Sequence, residues 1–224
     1  MKILCISDIH GNTKNLDKLD AQFKEADAVV FAGDFAVCFK PETSKPTMEA
    51  LLKKHDTIFA VCGNCDDGEF IQNLEDNDIC AERTLVFHEG LVICGSGGGT
   101  KFTGKTANER DEEDIVSDFD ILTQQEELDG SNVIMIMHNP PKDTKCDRVT
   151  LGAHVGSQKL RELIEKVQPL AVVTGHIHEA KSIDKIGQTT VINPGALDEG
   201  NYAWLEVEKT DGKWGVKNSS LEKI

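Results

Sequence analysis

Short apolar runs alternate with amphipathic segments along the first third of the chain. The runs at residues 3–6, 28–32 and 57–62 predict buried strands, and each one ends in polar residues. Between these runs, apolar residues recur at helical spacing and predict helices over residues 15–24 and 48–54. A repeated β-α-β rhythm is typical of a parallel sheet covered by helices, so we predict an α/β fold.

The rest of the chain is richer in predicted strands than in predicted helices. A helix is predicted over residues 157–167, because Leu160, Leu163 and Ile164 share one face. Strands are predicted at residues 85–87, 91–94, 133–137, 170–174, 190–192, 202–207 and 213–216. With no repeat and no linker composition in the sequence, the simplest division is a single domain over residues 1–224.

Carboxylate, amide and imidazole side chains follow the predicted strands. They are Asp8, His10, Asp34, Asn64, His138, His176 and His178. Ligands of open α/β sheets sit beyond the carboxyl ends of the strands, so we expect these side chains to share one site. Mixed oxygen and nitrogen ligands suit manganese, iron, zinc or nickel.

This set exceeds what one ion needs, and a carboxylate such as Asp34 can bridge two ions. We therefore predict two divalent metal ions, most simply manganese. Two ions about 3.5–4 Å apart are a known device for in-line displacement at phosphorus, in which a metal-bridging hydroxide is the nucleophile.

Simpler interpretations exist for several of these features. Asp8 and Asp34 suit helix caps when taken singly, although four histidines at the other strand ends argue against that interpretation. The Cys62-x-x-Cys65 pair is more simply structural than redox-active or zinc-binding, because Cys62 ends an apolar strand and the sequence has no second Cys-x-x-Cys pair to complete a four-cysteine zinc site. The glycine-rich run at residues 95–100 is interpreted as a turn that needs small residues, with a place at the border of the substrate pocket as a further possibility. The acidic run at residues 109–120 is interpreted as a solvated face, with a lid as the alternative.

Five blocks of sequence resemble the calcineurin-like metallophosphoesterase superfamily. They are Asp8-Ile9-His10, Gly33-Asp34, Gly63-Asn64-Cys65-Asp66, His138 and Gly175-His176-Ile177-His178, in the order of that family. The resemblance implies a two-sheet β-sandwich flanked by helices and hydrolysis of phosphate esters. It also implies that Asp8, His10 and His178 hold a first metal, that Asn64, His138 and His176 hold a second, and that Asp34 bridges the two.

The segments His138-Asn139-Pro140-Pro141 and Gly152-Ala153-His154-Val155-Gly156-Ser157 are similar to a narrower group, the small prokaryotic phosphoesterases related to bacterial cyclic-nucleotide phosphodiesterases. This match refines the subfamily more than the function. Our hypothesis is that phosphodiesters are favoured over monoesters and that His10 and Asn64 also touch the phosphate. Many family members carry a phosphate-contacting histidine where this chain has Cys65. A thiol is a poorer proton donor, so His154 or Asp147 is a candidate for that role.

Composition limits the partners and the setting. The formal net charge of -15 argues against tight nucleic-acid binding and favours a small phosphoester substrate drawn to bound cations. Seven cysteines, an odd number, fit free thiols in a reducing cytoplasm. We expect no signal peptide and no membrane span, and the sequence leaves the oligomeric state open.

Two alternative functions share the same fold. One is a protein-interaction scaffold that binds metal with little or no catalysis. The other is a DNA repair nuclease. All seven ligand positions are filled, which argues against the scaffold, and the acidic surface argues against the nuclease.

Overall fold

The computed structural model of the chain describes residues 1–124 and 130–224. Its strands are β1 (Lys2–Ile6), β2 (Ala28–Phe31), β3 (Ile58–Ala60), β4 (Val86–His88), β5 (Leu91–Ser96), β6 (Gly99–Thr100), β7 (Glu109–Arg110), β8 (Val133–Met137), β9 (Ala171–Thr174), β10 (Ser182–Ile186), β11 (Thr189–Asn193), β12 (Asn201–Thr210) and β13 (Lys213–Lys223). Its α-helices are α1 (Lys14–Lys18), α2 (Asp20–Glu25), α3 (Ser44–Leu51), α4 (Ile71–Asp76), α5 (Glu112–Ser117), α6 (Asp120–Thr123) and α7 (Gln158–Val167).

The first large sheet has the strand order β13-β12-β1-β2-β3. β1, β2 and β3 are parallel, with Leu4 opposite Val29 and Val29 opposite Ile58. Their residues are almost all buried, as expected where both faces of a parallel sheet are covered. β12 pairs antiparallel with β1 and with β13, which closes the other side of the sheet.

The second large sheet has the strand order β10-β11-β9-β8-β5-β4. Its four central strands are parallel, and β4 and β10 are antiparallel edge strands. The crossover from β8 to β9 contains α7, which begins after Ser157 and ends where Gln168 takes a left-handed conformation. The Ser157 hydroxyl accepts a hydrogen bond from the backbone N–H of Leu160, as expected of a helix N-cap.

Three buried apolar layers hold the elements together. The middle layer lies between the two sheets and contains Val30 and Leu205 from the first sheet and Ile134 and Val173 from the second. The outer layers place α1–α4 against the first sheet and α5–α7 against the second. The predicted two-sheet sandwich flanked by helices is therefore confirmed.

Several element bounds differ from those predicted. The helix predicted over residues 15–24 is divided at Leu19 into α1 and α2. α3 begins at Ser44, four residues before the predicted start. Pro46 is tolerated there because it lies in the first turn of the helix, where a missing N–H costs no hydrogen bond. The strand predicted at residues 190–192 is part of a longer hairpin whose first strand, β10, alternates too weakly in sequence to be predicted.

The interpretation of residues 109–120 as a solvated face is wrong in part. Ile115 and Phe119 are buried against the second sheet, because they lie on one face of the short helices there. Asp118 is also buried and pairs with the guanidinium of Arg110 at 2.6 Å. Among the residues that the structure describes, no helix is long and apolar enough to cross a bilayer.

Candidate metal centre

Loops from both sheets meet at one edge of the molecule. Asp8, Asp34 and Asn64 follow β1, β2 and β3 of the first sheet, whereas His138 and His176 follow β8 and β9 of the second. The backbone N–H of Asp8 donates to Gly33 O at 2.9 Å, which joins the first two loops. The backbone N–H of His176 donates to the Asp8 carboxylate at 3.1 Å, which joins the two sheets.

A glycine precedes Asp34, Asn64 and His176 in the sequence. At each of these glycines, a Cβ atom would collide with another residue. A Cβ on Gly63 would collide with the carboxylate and backbone of Asp34. A Cβ on Gly175 would collide with the Ser7 hydroxyl and approach the Asp8 carboxylate. Gly63 and Gly175 therefore allow the loops to approach closely enough for their side chains to share one site.

The backbone is left-handed at four residues of the site that are not glycine. They are Asp8, His10, Asp34 and His176, with φ angles of 54°, 45°, 61° and 67°. Aspartate and histidine are among the residues that tolerate this region best, although it is sparsely populated. Such conformations concentrate at functional sites, where the surrounding structure holds them in place.

Asp66 fixes two of the loops and was not predicted to have this role. Its buried carboxylate accepts hydrogen bonds from the backbone N–H groups of Asp34, Ala36 and Gly63 and from the Ser44 hydroxyl. Burial and the nearby charge of Asp34 raise the pKa of Asp66. The signal in the sequence was its place in the Gly63-Asn64-Cys65-Asp66 block, which gives no indication of these partners.

Asp8, His10 and His178 form the first group of close ligand atoms. The Nε2 atoms of His10 and His178 face each other at 3.2 Å. The Asp8 Oδ1 atom lies 3.3 Å from His178 Nε2 and 4.0 Å from His10 Nε2. Two imidazole nitrogens and a carboxylate oxygen thus converge on one small volume.

Asp8, Asp34 and His138 form the second group. The Asp34 Oδ2 atom lies 3.5 Å from His138 Nε2 and 3.7 Å from His10 Nε2, so it stands between the two groups. Asn64 Oδ1 lies 2.9 Å from His138 Nε2. The His176 ring lies with its centroid 5.1 Å from that of His138, so all seven predicted ligands gather at this edge.

The two buried carboxyls are ionised at neutral pH. Burial opposes the charge on Asp34, but the positive charge of His138 and its hydrogen bond hold the Asp34 pKa well below its usual range. Burial also opposes the charge on Asp8, yet the hydrogen bond from His178 and the charge of His138 lower its pKa. Carboxylates in this form are ready to bind cations.

The imidazoles respond to the same charges. Burial would lower the pKa of His138, but Asp34 and Asp8 raise it to about 9. Burial and the neighbouring charge of His138 lower the pKa of His176 to about 4. His176 is therefore neutral at pH 7, which is the form in which imidazole binds a metal.

The ring orientations fit metal ligation. His10 Nδ1 lies 2.9 Å from the carbonyl of Ala36, and His138 Nδ1 lies 2.7 Å from the carbonyl of Ala32. These hydrogen bonds turn the Nε2 atom of each ring towards the carboxylates. Metal-binding histidines in proteins are commonly fixed in this way, so the donor set fits divalent ions.

Cys65 faces another cysteine instead of Cys62. Its thiol lies 3.0 Å from the thiol of Cys38, whereas Cys62 is buried in the apolar core. Burial and the charge of Asp34 raise the pKa of the Cys65 thiol well above its usual range. The structural interpretation of the Cys62-x-x-Cys65 pair is therefore supported, and a neutral Cys65 is a weak proton donor.

His154 stands apart from the ligand cluster and pairs with Asp147. Its Nδ1 atom lies 2.7 Å from Asp147 Oδ1, and the ring is about one-third exposed. The backbone N–H groups of Thr144 and Gly156 also donate to the buried Asp147 carboxylate, which fixes it. This pairing leaves His154 Nε2 available to exchange a proton.

The loop that carries His154 is joined to the segment that carries the candidate ligand His178. Thr150 donates from its backbone N–H to the Glu179 carboxylate at 2.9 Å, and its hydroxyl contacts the same carboxylate. Glu179 follows His178 directly, so the loop runs beside the first ligand group. Gly99 approaches the other side, because a Cβ there would lie 3.2 Å from Asn64 Cβ and 3.5 Å from the His176 ring. Gly99 therefore borders the candidate site. The interpretation of residues 95–100 as a turn holds only for residues 97–98, because Gly95 and Ser96 end β5 and Gly99 and Thr100 form β6.

Together, the four-layer α/β fold and the cluster of buried carboxylates and imidazoles define a class, the metal-dependent phosphoesterases. The family model of the calcineurin-like phosphoesterase superfamily domain matches residues 1–210. The chain belongs to this superfamily, which confirms the resemblance found in its sequence blocks.

Known proteins similar to this chain include uncharacterised ones. A protein of Methanocaldococcus jannaschii described only as uncharacterised is 34% identical over 201 residues, covering 87% of this chain and 88% of its own. A crystal structure of a Thermus thermophilus protein matches with a TM-score of 0.68 and 20% identity, over 91% of this chain and 93% of the other. A structure described as a novel archaeal phosphodiesterase matches with a TM-score of 0.57 and 17% identity, over 100% of both chains. At such identities the two structures show the fold alone.

Proposed function

We propose that this chain hydrolyses phosphate esters with two divalent metal ions and favours phosphodiesters over monoesters. One observation carries the proposal: two groups of close ligand atoms lie side by side at one edge of the two sheets, with the Asp34 carboxylate between His10 of the first and His138 of the second. Two divalent ions held there supply a nucleophile from water at neutral pH and neutralise charge on the phosphoryl oxygens.

Each side chain of the cluster has a proposed role. Asp8, His10 and His178 hold the first ion, and Asn64, His138 and His176 hold the second. Asp34 lies between the groups and binds both ions, a role that the position of its Oδ2 atom between His10 and His138 supports. Manganese suits this mixed oxygen and nitrogen set, with iron, zinc or nickel as alternatives.

His154 is the proposed proton donor to the leaving group. The pairing with Asp147 fixes its tautomer and presents Nε2, as a base is oriented by a carboxylate in other hydrolases. His10 and Asn64 are the proposed contacts to the phosphate itself. Cys65 lies beside Asn64 and shapes this subsite without donating a proton.

The preference for diesters agrees with the charge of the protein. A monoester dianion meets a chain of net charge -15 with twice the repulsion of a diester monoanion. The same charge opposes tight binding of nucleic acids, so we propose a small phosphoester substrate. We also propose that the protein works in the cytoplasm without membrane attachment.

The decisive experiment measures hydrolysis of bis(p-nitrophenyl) phosphate by the Mn²⁺-loaded protein. We expect clear turnover, and an Asp34→Asn variant should lose it while keeping its fold. Turnover no greater than that of the variant would contradict the proposal. Metal analysis separates the enzyme from a scaffold of the same fold, because fewer than about one bound ion per chain is incompatible with a two-metal mechanism. A panel of mono-, di- and cyclic phosphoesters then defines the substrate.

A further inference from the structure

A third group of side chains that can bind metal overlaps the rim of the carboxylate cluster. The Sγ atoms of Cys38 and Cys65 and a ring nitrogen of His10 all lie within 4.8 Å of one another. The two sulfurs are 3.0 Å apart. This group offers soft sulfur ligands, whereas the carboxylate cluster offers oxygen and imidazole nitrogen.

Cys38 lies in an exposed loop and does not pack in the apolar core. It is exposed, in the loop between β2 and α3, where Val37 and Lys40 form a short antiparallel bridge. Its thiol nevertheless contacts Cys65, whose side chain is buried at the base of the site. Cys38 also lies outside the five sequence blocks that match the superfamily.

We propose that Cys38, Cys65 and His10 form a further site for one thiophilic ion such as Zn²⁺ or Cd²⁺, which shares His10 with the first ligand group. Two cysteines and one histidine are a recognised zinc-ligand set that leaves a fourth position open. Two thiol protons leave to solvent when the ion binds, because the thiolate is the ligand.

The geometry requires a small change. Tetrahedral Zn²⁺ with bonds of about 2.3 Å to sulfur holds two sulfurs about 3.8 Å apart. The present separation of 3.0 Å is therefore slightly too short. Rotation of the exposed Cys38 side chain provides the difference without moving the buried Cys65.

His10 connects this thiol site to the carboxylate cluster. Its Nδ1 atom contacts the carbonyl of Ala36, so Nε2 is the ring nitrogen left to bind an ion in either group. A soft ion on Cys38 and Cys65 takes that nitrogen away from Asp8 and His178. The thiol site thus competes with the first ligand group for His10, and this competition extends the proposed function without depending on hydrolysis.

Cobalt absorption tests the thiol site independently of activity. The full-length, reduced, metal-free protein is titrated with Co²⁺ in the absence of oxygen. A sulfur-to-cobalt charge-transfer band in the near ultraviolet is expected, because oxygen and nitrogen ligands do not produce one. Zn²⁺ added afterwards should remove the band by displacing Co²⁺.

Cys38→Ser is the test variant, and Cys80→Ser is the matched control. Cys38→Ser should strongly reduce the band and weaken Zn²⁺ binding by roughly 100-fold or more, since even outer-shell partners cost about 10–100-fold in metal affinity. Cys80→Ser should leave both unchanged, because Cys80 hydrogen-bonds to Glu82 O, away from this group. Because Cys38 is exposed, the test variant should fold normally, and circular dichroism verifies it.

Two results would overturn the proposal. One is a band of equal intensity in the wild type and in Cys38→Ser, which would place the sulfur ligand elsewhere. The other is a wild type without a band: free thiols would then show that the pair does not bind the ion, and two fewer free thiols than in the reduced denatured chain would indicate a Cys38–Cys65 disulfide. Absence of hydrolysis with an intact band would contradict only the proposed function.

Discussion

The two large sheets contribute different chemistry to the same edge of the molecule. The first sheet supplies both carboxylates of the cluster, Asp8 and Asp34, together with Asn64 and one imidazole, whereas the residues of the cluster from the second sheet are all imidazoles. Each carboxylate meets an imidazole from the opposite sheet. Asp8 lies 3.3 Å from His178, and Asp34 lies 3.5 Å from His138.

This division means that neither sheet contains a complete site. Both ligand groups draw atoms from the two sheets, so they form only when the apolar layer between the sheets is packed. Metal binding at such a site is coupled to folding. Substitutions in the loops of either sheet should therefore affect both metal binding and hydrolysis. The size of each effect should depend on whether the residue belongs to a ligand group.

The largest effect is expected from Asp8→Asn, because Asp8 belongs to both ligand groups. Asparagine tolerates the left-handed backbone at this position, so the loop should keep its shape. We expect kcat/KM to fall by more than about 100-fold, since even outer-shell partners of a metal ligand cost about 10–100-fold. Metal analysis of the same sample should show fewer bound ions than in the wild type.

Asp211→Asn is the control for Asp8→Asn. It makes the same chemical change at another left-handed residue, in the turn between β12 and β13. It should leave activity and metal content unchanged. Full metal content in Asp8→Asn would show that Asp8 is not needed to hold a metal ion.

The next effect is expected from His154→Gln and should depend on the leaving group. General acid catalysis contributes about 10²–10⁴-fold, so an alkyl phosphodiester should lose roughly 100-fold in kcat and a p-nitrophenyl ester less than about tenfold. His55→Gln, whose ring is bonded to the backbone at Thr57 and Ala26, is the matched control. Equal losses on both substrates would assign His154 a structural role.

The sequence predicted the parts of this site that follow strands directly. Each ligand lies just after an apolar run, and parallel strands bring such positions to one edge. The layered fold, and the gathering of the seven candidate ligands at one edge, could therefore be predicted from the pattern together with the family resemblance. Helix bounds such as the break at Leu19 were not, because short helices here depend on packing more than on propensity.

Contacts between loops could not be predicted from the sequence, for a different reason. The hydrogen bonds of Asp66 and the contact between Cys38 and Cys65 depend on how two loops from neighbouring strands fold back on each other. Nothing in the spacing of these residues indicates a contact. Phe119 was assigned to a solvated face because its neighbours are acidic, yet its own ring is buried.

Metal loading should stabilise the fold because each ligand group spans both sheets. An ion at about 100 times its Kd contributes about 2.7 kcal/mol, which corresponds to an increase in Tm of about 5–10 °C for a chain of this size. Calorimetry of the protein with Mn²⁺ and with a chelator measures the difference. Asp8→Asn should show a smaller increase, and an equal increase in both proteins would indicate that the stabilising ion binds elsewhere.

The smallest effect is expected from a substitution at the start of α7, a helix that packs against the second sheet away from the candidate ligands. Ser157→Ala removes the hydroxyl that accepts from Leu160 N–H at the start of α7, and losing such a cap costs about 1 kcal/mol. Tm should fall by about 2–4 °C, with kcat/KM unchanged. Ser157→Asn should restore most of the loss, because asparagine caps equally well but does not reproduce the hydroxyl contact with Glu112. If asparagine fails to restore Tm, the contact with Glu112, and not the cap, stabilises the start of α7.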